Sequence, residues 1–224
     1  MKLQGAIFDL DGTLLDSMFI WSTIGEEYLR SRGIAPREKL NEIFKNMSLL
    51  QAAQYYQTEY NLQGSTQEIM DGVNRMIWHY YEQQVQPKAG VVAVLQLLKQ
   101  HHIKMCVATA TDEPLAKIAL QRTGLLNYFK KILTCGDIGH GKDEPDIYHA
   151  ARRCLQTPQS GTWVFEDALH AAQTAKNAGY PVIGVYDPAE QNADELRSTA
   201  DYYIHSFREM EVFLHEKGVD DCGL

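Results

Sequence analysis

From residue 90 onward the sequence alternates between helical periodicity and short apolar runs, and this alternation constrains the fold more than any other feature. The apolar runs are 104–108, 131–135, 162–165, 182–186 and 202–205, and an earlier run covers 3–8. Short runs rich in Val, Ile and Phe between helical segments are typical of parallel strands covered on both faces. We therefore predict an α/β fold with an open, doubly wound parallel sheet. Ligands of such sheets bind beyond the carboxyl ends of the strands.

Residues 17–86 interrupt this alternation with a long stretch in which apolar residues recur at helical spacing. Ser65 and Glu68 have the spacing of a capping box, which predicts that a helix begins there. We expect about four helices in this stretch, inserted after the first strand. The predicted division is a core domain of residues 1–16 and 87–224 with a helical domain of residues 17–86.

Composition and charge narrow the class of protein. The chain has 224 residues, 45% of them hydrophobic, and a formal net charge of −8, so it is predicted to fold and to bind neither nucleic acid nor membrane. The apolar start of the sequence is interrupted by Asp9 and is too short for a signal peptide, which favours a cytoplasmic location. The four cysteines (Cys106, Cys135, Cys154 and Cys222) lack metal-site spacing; we expect them reduced, with Cys106 and Cys135 buried.

Two carboxylates stand at the end of the first predicted strand, in the sequence Asp9-Leu10-Asp11-Gly12. Carboxylates this close repel one another unless a cation or a shared proton lies between them. Taken alone, the segment also fits an exposed turn or a helix cap. The residues at the other strand ends decide between these readings.

Polar residues also follow the next three predicted strands: Thr109 and Thr111, then Lys142, then Glu166 with Asp167. Each set has an ordinary alternative, since the threonines and carboxylates fit helix caps and the lysine fits a solvated surface. In a parallel sheet, however, all these positions converge on one edge. We therefore predict that they meet Asp9 and Asp11 there.

The four sets, in this order, resemble the motifs of the haloacid dehalogenase superfamily of phosphatases and phosphotransferases. The resemblance covers nearly the whole chain and implies a Rossmann-like core with the helical insert as its cap domain. It implies that Asp9 is the nucleophile, that Asp11 is the general acid and base, and that Thr109 and Lys142 hold the phosphate and the nucleophile. Leu10, Asp11 and Ala110 would add to the phosphate site.

The same resemblance implies one Mg²⁺ cofactor, held by Asp9, by the backbone carbonyl of Asp11 and by Asp167, with Glu166 beside it. The chemistry requires such groups, because an anionic carboxylate that attacks a phosphate dianion needs its repulsion cancelled by a hard cation and fixed donors. One departure from the family pattern is Asp143, which stands where a proline commonly follows the motif lysine. A carboxylate there would weaken the hold of Lys142 on phosphate.

The function expected from these motifs is a magnesium-dependent phosphatase that hydrolyses a small phosphorylated metabolite through an aspartyl phosphate. The alternative is a phosphosugar mutase like β-phosphoglucomutase. Such mutases have a histidine in the cap hinge, and Trp21 stands at the matching position of this chain. Dehalogenases lack the second aspartate, and a non-catalytic binding protein would not need all four motifs, so both are disfavoured.

Substrate choice is expected to depend on the cap, in residues 18–21, in residues 45–48 and around the last cap helix. Residues 45–48 contain no arginine, which disfavours a doubly anionic substrate. We expect a monomer or a weak dimer.

Overall fold

The computed structural model describes residues 3–44, 47 and 49–217. The chain divides into two compact units, one made of Met1–Asp16 with Val85–Leu224 and the other of Ser17–Gln84. The first unit contains the strands and the second consists of helices. Each is described by itself below.

The core of the first unit is a six-stranded sheet in which every pair of neighbouring strands is parallel. Its strands stand in the order β5-β4-β1-β6-β7-β8. They are β1 (Gly5–Phe8), β4 (Lys104–Thr109), β5 (Ile132–Thr134), β6 (Thr162–Glu166), β7 (Val182–Val185) and β8 (Tyr202–Ile204). The predicted doubly wound α/β fold is confirmed.

The second unit contains four helices within the described residues: α1 (Met18–Ser31), α2 (Leu40–Phe44), α3 (Leu49–Tyr60) and α4 (Thr66–Gln83). The capping box predicted at the start of α4 is present, because the Ser65 side chain accepts from the Glu68 N–H while the Glu68 carboxylate accepts from the Ser65 N–H. None of the described helices is both long and apolar enough to cross a membrane.

Seven further helices surround the sheet in the described part of the first unit. They are α5 (Val91–Gln100), α6 (Glu113–Arg122), α7 (Cys135–Ile138), α8 (Asp146–Leu155), α9 (Leu169–Asn177), α10 (Ala193–Thr199) and α11 (Met210–Glu216). Successive side chains of a strand point to opposite faces of the sheet, so apolar strands need helices on both faces. Ile7 packs among aliphatic residues of α8 and α9, whereas the neighbouring Phe8 stacks on Phe165 with ring centroids 4.2 Å apart.

One strand end differs from the sequence prediction. Residues 131–135 were expected to be a strand, but β5 ends at Thr134 and the short helix α7 begins at Cys135. The Thr134 hydroxyl accepts from the Asp137 N–H at 3.0 Å, and the Asp137 carboxylate accepts from the Thr134 N–H. The prediction that Cys135 is buried is wrong for the same reason, since the residue leaves the sheet and is partly exposed; Cys106 is fully buried in β4 as predicted.

A second, two-stranded sheet forms where the chain leaves and re-enters the first unit. It consists of β2 (Leu15–Asp16) and β3 (Gln86–Pro87), which pair antiparallel with Leu15 opposite Pro87. Two-residue strands carry no readable hydrophobic period, so the sequence did not predict this sheet. It fixes the turn between β1 and β2 against the segment that leads into α5.

Candidate active site

Three neighbouring strands of the large sheet present the predicted polar residues at one edge. β1 lies between β4 and β6, and the carboxyl ends of these strands bring Asp9, Thr109 and Glu166 to the same side of the unit. The Asp9 N–H donates to the Phe165 carbonyl at 3.0 Å, which continues the β1–β6 pairing by one residue. All three side chains are buried. The predicted convergence is therefore present.

Lys142 joins two of these carboxylates. Its Nζ donates to Asp9 Oδ1 and, at 2.7 Å, to Glu166 Oε1, although the residue comes from the loop before α8. The lysine is only 8% exposed. Burial opposes its charge, but the Asp9 and Glu166 carboxylates outweigh that cost and raise the pKa of the ammonium. Lys142 is therefore a fixed positive charge at this edge.

The carboxylates of Asp9, Glu166 and Asp167 form a buried cluster in which one oxygen from each lies within 4.8 Å of the other two. Burial raises the pKa of Glu166 to about 7, against the opposing effect of Lys142, and raises that of Asp167 well above its usual range. When all three carboxylates are ionised, the Lys142 ammonium leaves two negative charges uncompensated, and one Mg²⁺ would balance them. Hard oxygen donors in this number suit Mg²⁺.

The loop after β1 is tied to the end of β6 by a threonine. Gly12 adopts a positive φ of 82°, and its N–H donates to the Leu15 carbonyl at 2.9 Å, which closes a tight turn. Thr13 follows in this turn, and its hydroxyl donates to Asp167 Oδ1 at 2.9 Å. The turn therefore holds the Asp167 carboxylate just beyond the carboxyl end of β6.

Asp11 is held by the end of β4. The Thr111 hydroxyl donates to Asp11 Oδ2 at 2.6 Å, and the Thr111 N–H donates to the Thr109 hydroxyl at 3.0 Å. Thr109 is 1% exposed. Leu10 and Ala110 follow Asp9 and Thr109 directly; the Leu10 side chain is buried and Ala110 is exposed.

Sequence reasoning missed the contacts of Thr13 and Tyr148. Tyr148 is fully buried in α8, and its hydroxyl donates to Glu166 Oε1 at 2.9 Å. Thr13 had a signal, because it stands in the turn directly after the Asp9–Asp11 pair. Tyr148 had none, since a tyrosine at an apolar helix position reads as ordinary core.

Asp143 does not compete for Lys142 in the way its neighbouring position suggested. It is exposed, and the carboxylates in ion pairs with Lys142 are those of Asp9 and Glu166. Of the residues expected to set specificity, Lys45, Asn46 and Ser48 lie outside the described residues. Trp21, in α1, is 44% exposed.

Residues 6–185 match the family described as haloacid dehalogenase-like hydrolase. The chain belongs to this family. Among its relatives are a phosphoglycolate phosphatase from Rhodobacter capsulatus, 30% identical over 79% of this chain and 81% of that protein, and hexitol phosphatase A from Escherichia coli, 24% identical over 97% and 98%.

The solved structures agree on the fold of this haloacid dehalogenase-like hydrolase. A putative β-phosphoglucomutase from Thermotoga maritima superimposes with a TM-score of 0.84, at 23% identity, over 96% of this chain and 99% of that one. At this identity the likeness establishes the architecture. The family match and the named phosphatases identify the chain as an enzyme, a phosphomonoester hydrolase of the haloacid dehalogenase type.

Proposed function

We propose that this hydrolase is a magnesium-dependent phosphatase of small phosphorylated metabolites that works through a phosphorylated Asp9. The observation that carries the proposal is the buried cluster of Asp9, Glu166 and Asp167 with Lys142 inserted between two of its members. A carboxylate nucleophile needs a neighbouring positive charge before it can approach a phosphate dianion. Lys142 supplies one such charge within contact of Asp9.

In the first step Asp9 attacks phosphorus and the ester bond to the leaving oxygen breaks, while Asp11 gives its proton to that oxygen. In the second step Asp11 takes a proton from water, whose oxygen attacks phosphorus. The bond from phosphorus to Asp9 breaks, which releases inorganic phosphate and restores the Asp9 carboxylate. The hydrogen bond from Thr111 holds the Asp11 carboxylate for both transfers. Thr109 and Lys142 bind the phosphoryl oxygens, together with the chain at Leu10, Asp11 and Ala110.

Mg²⁺ fits the residues present, because it would balance the two negative charges that Lys142 leaves uncompensated when all three buried carboxylates are ionised. Asp9, Asp167 and the Asp11 carbonyl would hold the ion, with Glu166 beside it, and the ion would neutralise charge on the transferring group. Thr13 orients Asp167 and Lys142 orients Glu166 toward this position.

In this proposal, residues 17–86 are the cap domain, which selects the leaving group of the substrate. Most of this segment, Ser17–Gln84, forms a compact unit of its own, and residues 85 and 86 belong to the first unit. Small polyol and sugar phosphates are the expected substrates, in keeping with relatives such as hexitol phosphatase A.

Asp9→Asn tests the nucleophile. The amide keeps the size of the side chain but attacks phosphorus poorly, so we expect phosphate release to fall by at least a hundredfold, about 2.7 kcal/mol of barrier. The assay follows inorganic phosphate from a panel of sugar and polyol phosphates with Mg²⁺ or with a chelator. Asp194→Asn, in the exposed first turn of α10, is the matched control and should keep wild-type turnover.

Retention of more than about a hundredth of the activity by Asp9→Asn would rule out covalent catalysis through this residue. The same panel of substrates distinguishes a phosphatase from a phosphosugar mutase. Conversion of β-glucose 1-phosphate to glucose 6-phosphate much faster than any phosphate release would replace the phosphatase with a phosphosugar mutase.

A further inference from the structure

Lys88 forms a partly buried junction beside the turn that follows Asp11. Its ammonium donates to the Gly12 carbonyl at 2.6 Å, to the Tyr186 carbonyl at 2.6 Å and to Asp187 Oδ2 at 2.9 Å. A lysine ammonium has three N–H donors, so these three acceptors use all of them. The junction joins the β1–β2 turn to the carboxyl end of β7.

The backbone of Lys88 makes a second contact to the same turn, because its N–H donates to the Leu14 carbonyl at 2.9 Å. Lys88 directly follows β3, so the small β2–β3 sheet fixes its position. The lysine therefore holds the turn at two carbonyls, one on each side of Thr13.

The carboxylate partner makes this junction rigid. Asp187 is 2% exposed, and its second oxygen accepts from the Ala189 N–H at 2.9 Å. Both Asp187 oxygens are therefore held, one by the Lys88 ammonium and the other by a backbone N–H. The Lys88 side chain is itself only 16% exposed.

We propose that Lys88 is a positioning residue for Asp11, an inference that rests on the proposed function. Lys88 fixes the peptide between Gly12 and Thr13, and Thr111 fixes the Asp11 carboxylate at its other end. Together they aim Asp11 at the leaving oxygen, which receives the Asp11 proton as its bond to phosphorus breaks and the bond from Asp9 to phosphorus forms. Without Lys88 the turn relaxes and this proton transfer slows.

The dependence of the rate on the leaving group separates this role from a merely structural one. The p-nitrophenolate of p-nitrophenyl phosphate leaves without a proton, whereas the alkoxide of glycerol 3-phosphate requires one. The kcat/KM value reports the step that phosphorylates Asp9 in both cases. The test variant is Lys88→Met combined with Asp187→Asn, because the amide keeps the acceptor for Ala189 and leaves no unpaired buried charge.

We expect kcat/KM of the double variant to fall at least about tenfold for glycerol 3-phosphate and less than about threefold for the aryl ester, within the range that general acid catalysis supplies. Lys130→Met is the matched control, since Lys130 also donates to a carbonyl, that of Cys154, away from the site. It should change both values equally and slightly. Lys88→Arg, which keeps the charge, should recover part of the glycerol 3-phosphate rate.

Equal losses with the two esters, or no loss, would overturn the proposal. A wild-type protein that releases phosphate from neither ester contradicts the proposed function instead. Amide hydrogen exchange then decides the Lys88 proposal without any substrate: faster exchange at residues 12–15 in the double variant supports positioning of the turn, and unchanged exchange overturns it.

Discussion

Glu166 illustrates how single residues set the chemistry of this edge. Its Oε1 accepts from Lys142 at 2.7 Å and from the Tyr148 hydroxyl at 2.9 Å, and the residue is 1% exposed. Burial makes the ionised carboxylate costly, and the two donors lower that cost. Lys142 and Tyr148 thus both donate to Glu166 and keep its carboxylate turned toward Asp9. Tyr148 is the uncharged donor of the two.

Tyr148→Phe should therefore weaken both the fold and the site. The loss of a hydrogen bond to a carboxylate costs about 1.5–3 kcal/mol of unfolding free energy, and Mg²⁺ affinity should fall about tenfold. Urea denaturation and calorimetric titration with Mg²⁺ measure the two effects. Tyr180→Phe is the control: this buried tyrosine contacts His149 Nδ1 at 2.8 Å, so its loss should lower stability alone. Unchanged Mg²⁺ affinity in Tyr148→Phe would contradict the role given to Glu166.

The residue types at the strand ends and their convergence could be predicted from the sequence, but the contacts of Tyr148 and Lys88 could not. Asp9, Lys142 and Glu166 were expected at one edge because parallel strands bring their carboxyl ends together, and they contact one another there. The hydrogen bond from Tyr148 depends on how α8 packs against the sheet. The contacts of Lys88 depend likewise on a turn, a small sheet and the end of β7, which no local pattern relates.

At the scale of elements, the Thr13 hydrogen bond joins the turn after β1 to the end of β6, across 154 residues of sequence. Thr13 is fully buried, so its hydroxyl has been withdrawn from water and bonds Asp167 instead. The turn and the strand end are thereby held as one unit at the proposed metal position.

Thr13→Val should release that link with little change in shape. We expect the unfolding free energy to fall by about 1–3 kcal/mol and Mg²⁺ affinity to fall by about tenfold or more. Thr162→Val is a matched control, because Thr162 is equally buried and hydrogen-bonded at the opposite end of β6. It should destabilise the protein without affecting Mg²⁺ binding. Equal Mg²⁺ affinities of the two variants would argue against Asp167 as a ligand.

The elements that sequence patterns identified are the ones long enough to show a period. The central strands and α4 were predicted because apolar runs and the Ser65 capping box mark them. The first residue of α7, Cys135, was taken for the end of a strand, since it directly follows the apolar run of β5. The β2–β3 sheet was not predicted, because its two strands are separated in the sequence by the whole helical unit.

For the molecule as a whole, the buried carboxylates make stability depend on pH. The pKa of Glu166 is raised from 4.5 to about 7, and that of Asp167 is raised as well, chiefly by burial. Between pH 4.5 and 7 the folded protein therefore binds more protons at these groups than the unfolded chain does. The unfolding free energy of the metal-free protein should fall as the pH rises through this window.

Mg²⁺ should reverse this trend, because it binds the ionised carboxylates of the folded protein and stabilises that state. We expect a larger increase in melting temperature on adding Mg²⁺ at pH 8 than at pH 6, with sodium chloride of equal ionic strength as the control. Thermal unfolding in chelator and in Mg²⁺ at both pH values measures this. A metal-free protein as stable at pH 8 as at pH 6, with no response to Mg²⁺, would contradict the proposed ion site.

The strand order also determines when the protein can fold during synthesis. β1 is made first, yet it pairs with β4 through Gly5 and Lys104 and with β6 through Gly5 and Thr162. At ribosomal rates of 5–20 residues per second, its second partner emerges roughly 8–30 s later. The helical unit is one uninterrupted segment and is complete long before that. A nascent chain therefore carries the apolar β1, followed by Asp9 and Asp11, as an unpaired strand while the helices assemble. The edge that carries the proposed active site is among the last parts to form.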